Sequence, residues 1–195
     1  MTLALAKPQL PHHCLTLPGI SWEKLGEIEA TFSDLEEVRF VYCDGVLELM
    51  ILGTEHEYYK RTISLLLEAY LRAKQIRFYS CGSATLGSKT ITGRKEPDES
   101  YNFYSKKPIP DLVIEVIVTS GNIDILEIYC RIGIPEVWFY EAGVLTIYSL
   151  QKGQYLKTNP STLLPDLNLE TLTKYIRHPD QYDAVTEFLQ EIAVP

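Results

Sequence analysis

The segment DLVIEVIV, residues 111–118, constrains the fold more than any other stretch of the chain. A nearly unbroken apolar run of this kind reads as a β-strand buried on both faces. Such a strand needs layers above and below it, so a mixed sheet flanked by helices is the expected architecture. One residue breaks the run. Glu115 stands in mid-strand between apolar neighbours, where a carboxylate is costly unless something pairs with it. A metal ion would offset that cost, and so would a buried lysine or arginine. The strand alone leaves both open. Asp111, four residues earlier, points to the same face as Glu115, while Leu112, Ile114 and Val116 point to the other.

The surrounding elements follow from periodicity and turn chemistry. Residues 1–20 carry Pro8, Pro11, Pro18 and Gly19 with little periodicity and read as an irregular arm. Residues 21–195 then form a single domain, a size that suits one hydrophobic core. Ser21 opens a short helix with Trp22, Leu25 and Ile28 on one face. VRFVYC and VLELMIL flank Asp44-Gly45, a strong hairpin signal because both turn positions need positive φ. Thr54 begins the clearest helix, with Tyr59, Ile63, Leu66, Leu67 and Tyr70 as its apolar stripe. Thr54 and Glu57 match a capping box. IRFYSC, TLGSKTI and EPDESYNF read as strands with turns, leading into DLVIEVIV. Gly121 precedes a helix, NIDILEIYCRI, that Gly133 should end with a left-handed cap. EVWFYE and VLTIYSL form strands around Ala142-Gly143, and QYLKTN suits an edge strand. LETLTKYI and DAVTEFLQEI read as two helices broken near Pro179.

Composition removes several functional classes. No apolar run reaches the roughly 18 residues of a membrane span, and the first residues do not resemble a signal peptide. A cytoplasmic protein is therefore expected. Cys14, Cys43, Cys81 and Cys130 form no C-x-x-C pair, which disfavours a zinc site or a disulfide framework. The formal net charge is −8, the opposite of the basic footprint of a tight nonspecific DNA binder, although a local basic groove stays possible. No G-x-S-x-G, phosphate-loop or dinucleotide glycine pattern is present. His12-His13 lies in the arm, where solvation is the simpler reading. The 13 tyrosines fall mostly in strands and helix stripes and read as packing residues.

Chemistry is most concentrated around Glu96-Pro97-Asp98. An acid directly after proline, then a mid-strand glutamate about one hairpin later, is the spacing of a PD-(D/E)XK metal site. Two carboxylates on neighbouring strands can hold Mg²⁺ or Mn²⁺ through oxygen ligands. The bare pattern is weak, since a turn explains Pro-Asp equally well.

EPDESYNF, PDLVIEVIVTSG and DILEIYCRIGIPEVWFYE, together with CDGVLELMI and TEHE, resemble the Uma-two family, a group assigned to the restriction endonucleases within the PD-(D/E)XK superfamily. The likeness runs in consistent order over roughly residues 20 to 150. It implies a restriction-endonuclease-like α/β core with a central mixed sheet, an Mg²⁺- or Mn²⁺-dependent endonuclease acting on DNA, and a homodimer. Asp98 and Glu115 match the family's two metal acids. His56 and Glu57 match the start of the helix that can present a further acid, although Glu57 also suits the capping box. Glu48, after the hairpin turn, could face the site or solvent. Asp111 could cap its strand or support the site from behind.

The sequence departs from the family at its lysine. The position two residues after Glu115 is Ile117. The alternative family position, in a pattern resembling I-D-K-L-E-I-Y, is Ile125, which offers neither charge nor a donor. Lys95 is close to Asp98, but three residues along one strand would turn it to the opposite face. Lys89, Lys106 and Lys107 fall in loops or edges. Three functional readings result: a metal-dependent endonuclease, a catalytically degenerate nuclease fold that binds a partner or nucleic acid, and a homodimeric module whose Glu115 forms a buried ion pair.

Overall fold

The computed structural model describes residues 14–35, 37–118 and 121–193. Eleven strands and five helices are present among them. The first sheet contains β1 (Cys14–Pro18), β2 (Val38–Cys43), β3 (Val46–Ile51), β5 (Leu86–Ser88) and β6 (Gly93–Lys95), in the order β1-β3-β2-β6-β5. The second contains β4 (Phe78–Ser80), β7 (Glu99–Phe103), β8 (Leu112–Ile117), β9 (Glu136–Glu141), β10 (Val144–Gln151) and β11 (Gln154–Thr158), in the order β11-β10-β9-β8-β7-β4. It is mixed, because β8 and β9 run parallel while its other pairs are antiparallel. The helix α3 (Ile125–Ile132) connects those parallel strands, as a crossover must. The remaining helices are α1 (Trp22–Thr31), α2 (Thr54–Ala73), α4 (Leu169–Ile176) and α5 (Gln181–Ala193).

The doubly buried strand is β8. Leu112, Ile114 and Val116 join the main core with Leu66, Leu67 and Tyr70 of α2 and Phe188 of α5. Val113 faces the other way and packs with Tyr129 of α3. A smaller core joins Leu25 of α1 to Tyr42 and Leu47 of the hairpin. Asp44 and Gly45 take φ of 46° and 84°, the left-handed pair that the hairpin requires. Gly133 caps α3 at φ 86°, accepting no Cβ penalty in that conformation.

Three local expectations are corrected. The arm is not irregular to its end. β1 pairs antiparallel with β3, setting Leu15 opposite Leu49 and Leu17 opposite Leu47. The open ladder of β3 offers its backbone partners, and Pro18 is tolerated because it ends an edge strand. His12-His13 lies outside the described residues. The capping box at Thr54 does not form: Gly53 is the N-cap of α2, with no side-chain cap hydrogen bond, and Thr54 is already helical. Finally, TLGSKTI is not one strand. It contributes β5, turns, and is followed by the short strand β6.

β6 positions the site, and Gly87 positions β6. A Cβ at Gly87, where φ is +106°, would lie 2.1 Å from the Gly93 carbonyl oxygen and 2.9 Å from Arg94 Cα. Both neighbours are backbone and cannot yield. Gly87→Ala should therefore cost about 1–3 kcal/mol through strain and steric overlap. Urea denaturation checks this, and an unchanged midpoint would contradict the close approach.

Candidate functional site

Between the two sheets lies a cavity of about 560 Å³, lined by residues that include Glu48, His56, Lys95, Asp98, Glu115 and Ile125. The β7–β8 register assembles its acidic side. Glu99 pairs with Ile114, so Asp98, one residue before β7, falls beside Glu115. Asp98 Oδ2 accepts hydrogen bonds from the Val116 backbone N–H at 2.7 Å and from His56 Nε2 at 3.0 Å. His56 enters from the first turn of α2, and its Nδ1 faces Glu57 Oε1 at 3.2 Å. Burial opposes charge on this imidazole, but the hydrogen bond and charge of Asp98 outweigh it and raise its pKa. Burial likewise pushes the Asp98 carboxyl upward, but His56, Lys95 and the Val116 amide together hold it below its usual range.

Glu115 is 2% exposed and has two partners. Lys95 Nζ lies 3.0 Å from Oε2. The Tyr129 hydroxyl, from α3, donates to Oε1. Burial pushes the Glu115 carboxyl up to about 7, with Lys95 pulling it back and the Asp98 charge adding to the rise. Burial and the neighbouring carboxylate raise the Tyr129 phenol well above its ordinary value, so it stays a donor.

The expectation that Lys95 faces away from the acids is overturned. Strand alternation holds only within one continuous strand. Lys95 ends β6 in the first sheet, and Glu96-Pro97 carries the chain across to β7 in the second. The two residues thus approach the cavity from different sheets. Lys95 and Tyr129 are the participants that sequence reasoning missed. Tyr129 was hidden in an apolar stripe, and the signal for Lys95 was only a charged residue in the short segment Gly93-Arg94-Lys95.

The other candidates separate. Glu48 is buried and faces the cavity; its Oε1 accepts from the amides of Asn122 at 2.6 Å and Ile123 at 3.2 Å, and from Thr16 Oγ1 at 3.3 Å. It pins the segment that leads into α3. A Cβ at Gly121 would sit 2.1 Å from Glu48 Oε2, so glycine is what admits the carboxylate. Glu48→Ala should destabilise by about 1–3 kcal/mol by removing the charged acceptor of these hydrogen bonds; a chemical-denaturation curve matching wild type would refute that role. Glu57 is half exposed and pairs with His56 and with Lys60 at 3.5 Å. Asp111 braces the β7–β8 connection, taking Lys107 Nζ at 2.6 Å and the Phe103 amide at 2.8 Å. Ile125 forms part of the cavity wall. Lys89 pairs with Glu23, and Lys106 lies over the Tyr79 ring.

Among the described residues, no group of three or more His, Cys, Asp or Glu side chains is arranged to hold a metal ion. The donor set does not fit a closed protein cage. It does fit a hard cation such as Mg²⁺, which takes one or two carboxylates and completes its shell with water and phosphate oxygens. Among the described residues, both hydrogen bonds to the Asp98 carboxylate fall on Oδ2 and neither on Oδ1.

A mixed sheet flanked by helices, with paired acids where β7 meets β8, defines an α/β protein of the restriction-endonuclease-like class. The chain belongs to the Uma2 family, whose model, described as "Putative restriction endonuclease", matches residues 22–176. A solved structure described as "a putative nuclease belonging to DUF820", from Anabaena variabilis ATCC 29413, is similar at 14% identity and a TM-score of 0.45, covering 77% of this chain and 90% of that one. None of the curated proteins compared with the chain matches it. Among the described residues, no helix is long and apolar enough to cross a membrane.

Proposed function

We propose that the cavity hydrolyses phosphodiester bonds of DNA, with Asp98 and Glu115 holding Mg²⁺ or Mn²⁺. The observation that supports this reading is the pair of buried carboxylates, 6% and 2% exposed, side by side on the wall of an open cavity. Lys95 and His56 offset part of the cost of burying the two acids, yet the Glu115 carboxyl stays raised to about 7, and a divalent cation between the acids would relieve the repulsion and desolvation that remain. The chemistry that such a cation supplies when bound is polarisation of a phosphoryl oxygen and acidification of water. The chain does the rest. His56 and the Val116 amide fix the Asp98 carboxylate, and Tyr129 fixes Glu115, so neither acid must reorganise as charge develops. In the reaction water adds to phosphorus, one P–O ester bond breaks, and the departing oxygen takes a proton.

A second reading has its own support. Both acids already have protein partners, Ile125 occupies the family's lysine position, and the net charge is −8. A catalytically degenerate nuclease fold that binds DNA or a protein partner would look the same on these points. Incubating the purified protein with plasmid and linear DNA in Mg²⁺ and in Mn²⁺ separates the two. Cleavage lost in Asp98→Ala supports hydrolysis; no cleavage in either metal supports the binding module. The reading also carries a cytoplasmic homodimer, and a sedimentation mass near that of one 22.3 kDa chain would remove the dimer.

A further inference from the structure

The family's lysine position is apolar in this chain, yet the cavity is not without a lysine. Lys95 is 4% exposed, with its Nζ 3.0 Å from Glu115 Oε2 and 3.3 Å from the Glu96 carbonyl oxygen. Burying an ammonium is expensive, and a chain keeps one only where something compensates the cost. Its strand neighbours do not: Val41 on β2 and Leu86 on β5 stand opposite it. The counter-charge reaches across from the other sheet. Among the described residues, the counter-charge that Lys95 contacts is Glu115 of the acid pair, and both Lys95 and Ile125 line the same cavity.

We propose that Lys95, delivered by β6 rather than by α3, is the catalytic cation of this chain and contacts the reacting phosphate. The proposal rests on the reading of the cavity as a phosphodiesterase site. In the resting protein the ammonium neutralises Glu115. With a divalent cation held by Asp98 and Glu115, that neutralisation would no longer be needed, and the three N–H donors of Lys95 would be available to a non-bridging phosphoryl oxygen. Lys95 would contribute charge and hydrogen bonds, while the proton for the departing oxygen comes from the attacking water. Ile125 then has a consistent place as an apolar wall that limits water around the reacting group.

The test has two readouts on the full chain: cleavage in Mn²⁺, and the salt dependence of binding to a short single-stranded DNA in Ca²⁺. Lys95→Met should lower cleavage by roughly a hundredfold and flatten the slope of log affinity against log salt by about 0.7, one phosphate contact on a single strand. Lys95→Met/Ile125→Lys should regain cleavage by returning a cation from α3. Should Lys95→Met fail to fold, Lys95→Met/Glu115→Gln removes both charges and is compared with Glu115→Gln for the same slope. Cleavage and slope both unchanged in Lys95→Met would overturn the assignment. A wild-type protein that does not cleave but whose slope flattens in Lys95→Met would retain the phosphate contact and sink the hydrolytic reading instead.

Discussion

If the cavity cleaves DNA, Asp98→Asn should lower that metal-dependent cleavage by roughly a hundredfold or more, the scale of losing one pre-organised electrostatic contributor, while the fold should survive. The asparagine is nearly isosteric. Its carbonyl oxygen can still accept from the Val116 amide and from His56 Nε2, the two hydrogen bonds that Asp98 Oδ2 receives. What it cannot do is offer a second, anionic oxygen. In its place stands an amide NH₂, a pure donor that repels a cation. The substitution therefore separates shape from charge. Circular dichroism should stay close to wild type and the denaturation midpoint should fall only modestly, as the Asp98 charge beside His56 is lost while both hydrogen bonds persist, whereas Mn²⁺ binding by calorimetry weakens together with cleavage. An Asp98→Asn protein that binds Mn²⁺ and cuts DNA like wild type would mean that the buried acid serves only the fold.

Glu115→Ala has the largest expected effect on stability, a loss of about 3–5 kcal/mol, because it breaks a buried ion pair from one side. It leaves Lys95 charged, 4% exposed and without its carboxylate, and it strands the Tyr129 hydroxyl. Removing both charges at once is a different matter. Lys95→Met/Glu115→Gln preserves volume and takes away both desolvation penalties, so it should lie within about 1 kcal/mol of wild type or above it. The non-additivity of the pair is the informative quantity, since residues in direct contact couple and distant ones do not. Urea denaturation of Lys95→Met, Glu115→Gln and the paired variant in the presence of chelator measures it. Effects that simply add would deny the contact between β6 and β8.

The elements legible in the sequence are those specified by local physics. Asp44-Gly45 marks a hairpin because its backbone demands positive φ, and Gly133 marks a helix end for the same reason. The apolar run of β8 announces a strand with a core on both sides, and the two cores prove to be separate. The Pro-Asp spacing and the family resemblance marked Asp98 and Glu115 as a pair, and the β7–β8 register sets them beside each other. What was not legible depends on where chain segments cross between sheets. Alternation placed Lys95 away from Asp98 by assuming one strand through Glu96-Pro97, whereas the chain changes sheets there. Tyr129 shares the helical spacing of Ile125 and Ile128, so periodicity cannot distinguish a packing ring from a hydroxyl aimed at Glu115. Glu48 could not be assigned from alternation alone, because the amides it binds lie 74 and 75 residues further along the chain.

If Asp98 and Glu115 hold a divalent metal, Mn²⁺ should bind between them. Anomalous diffraction from crystals grown with Mn²⁺ tests it most directly. A manganese peak is expected within coordination distance of both carboxylates, with Lys95 Nζ moved off Glu115 Oε2. Saturating Mn²⁺ with no peak between the two acids, and Lys95 still paired to Glu115, would contradict it.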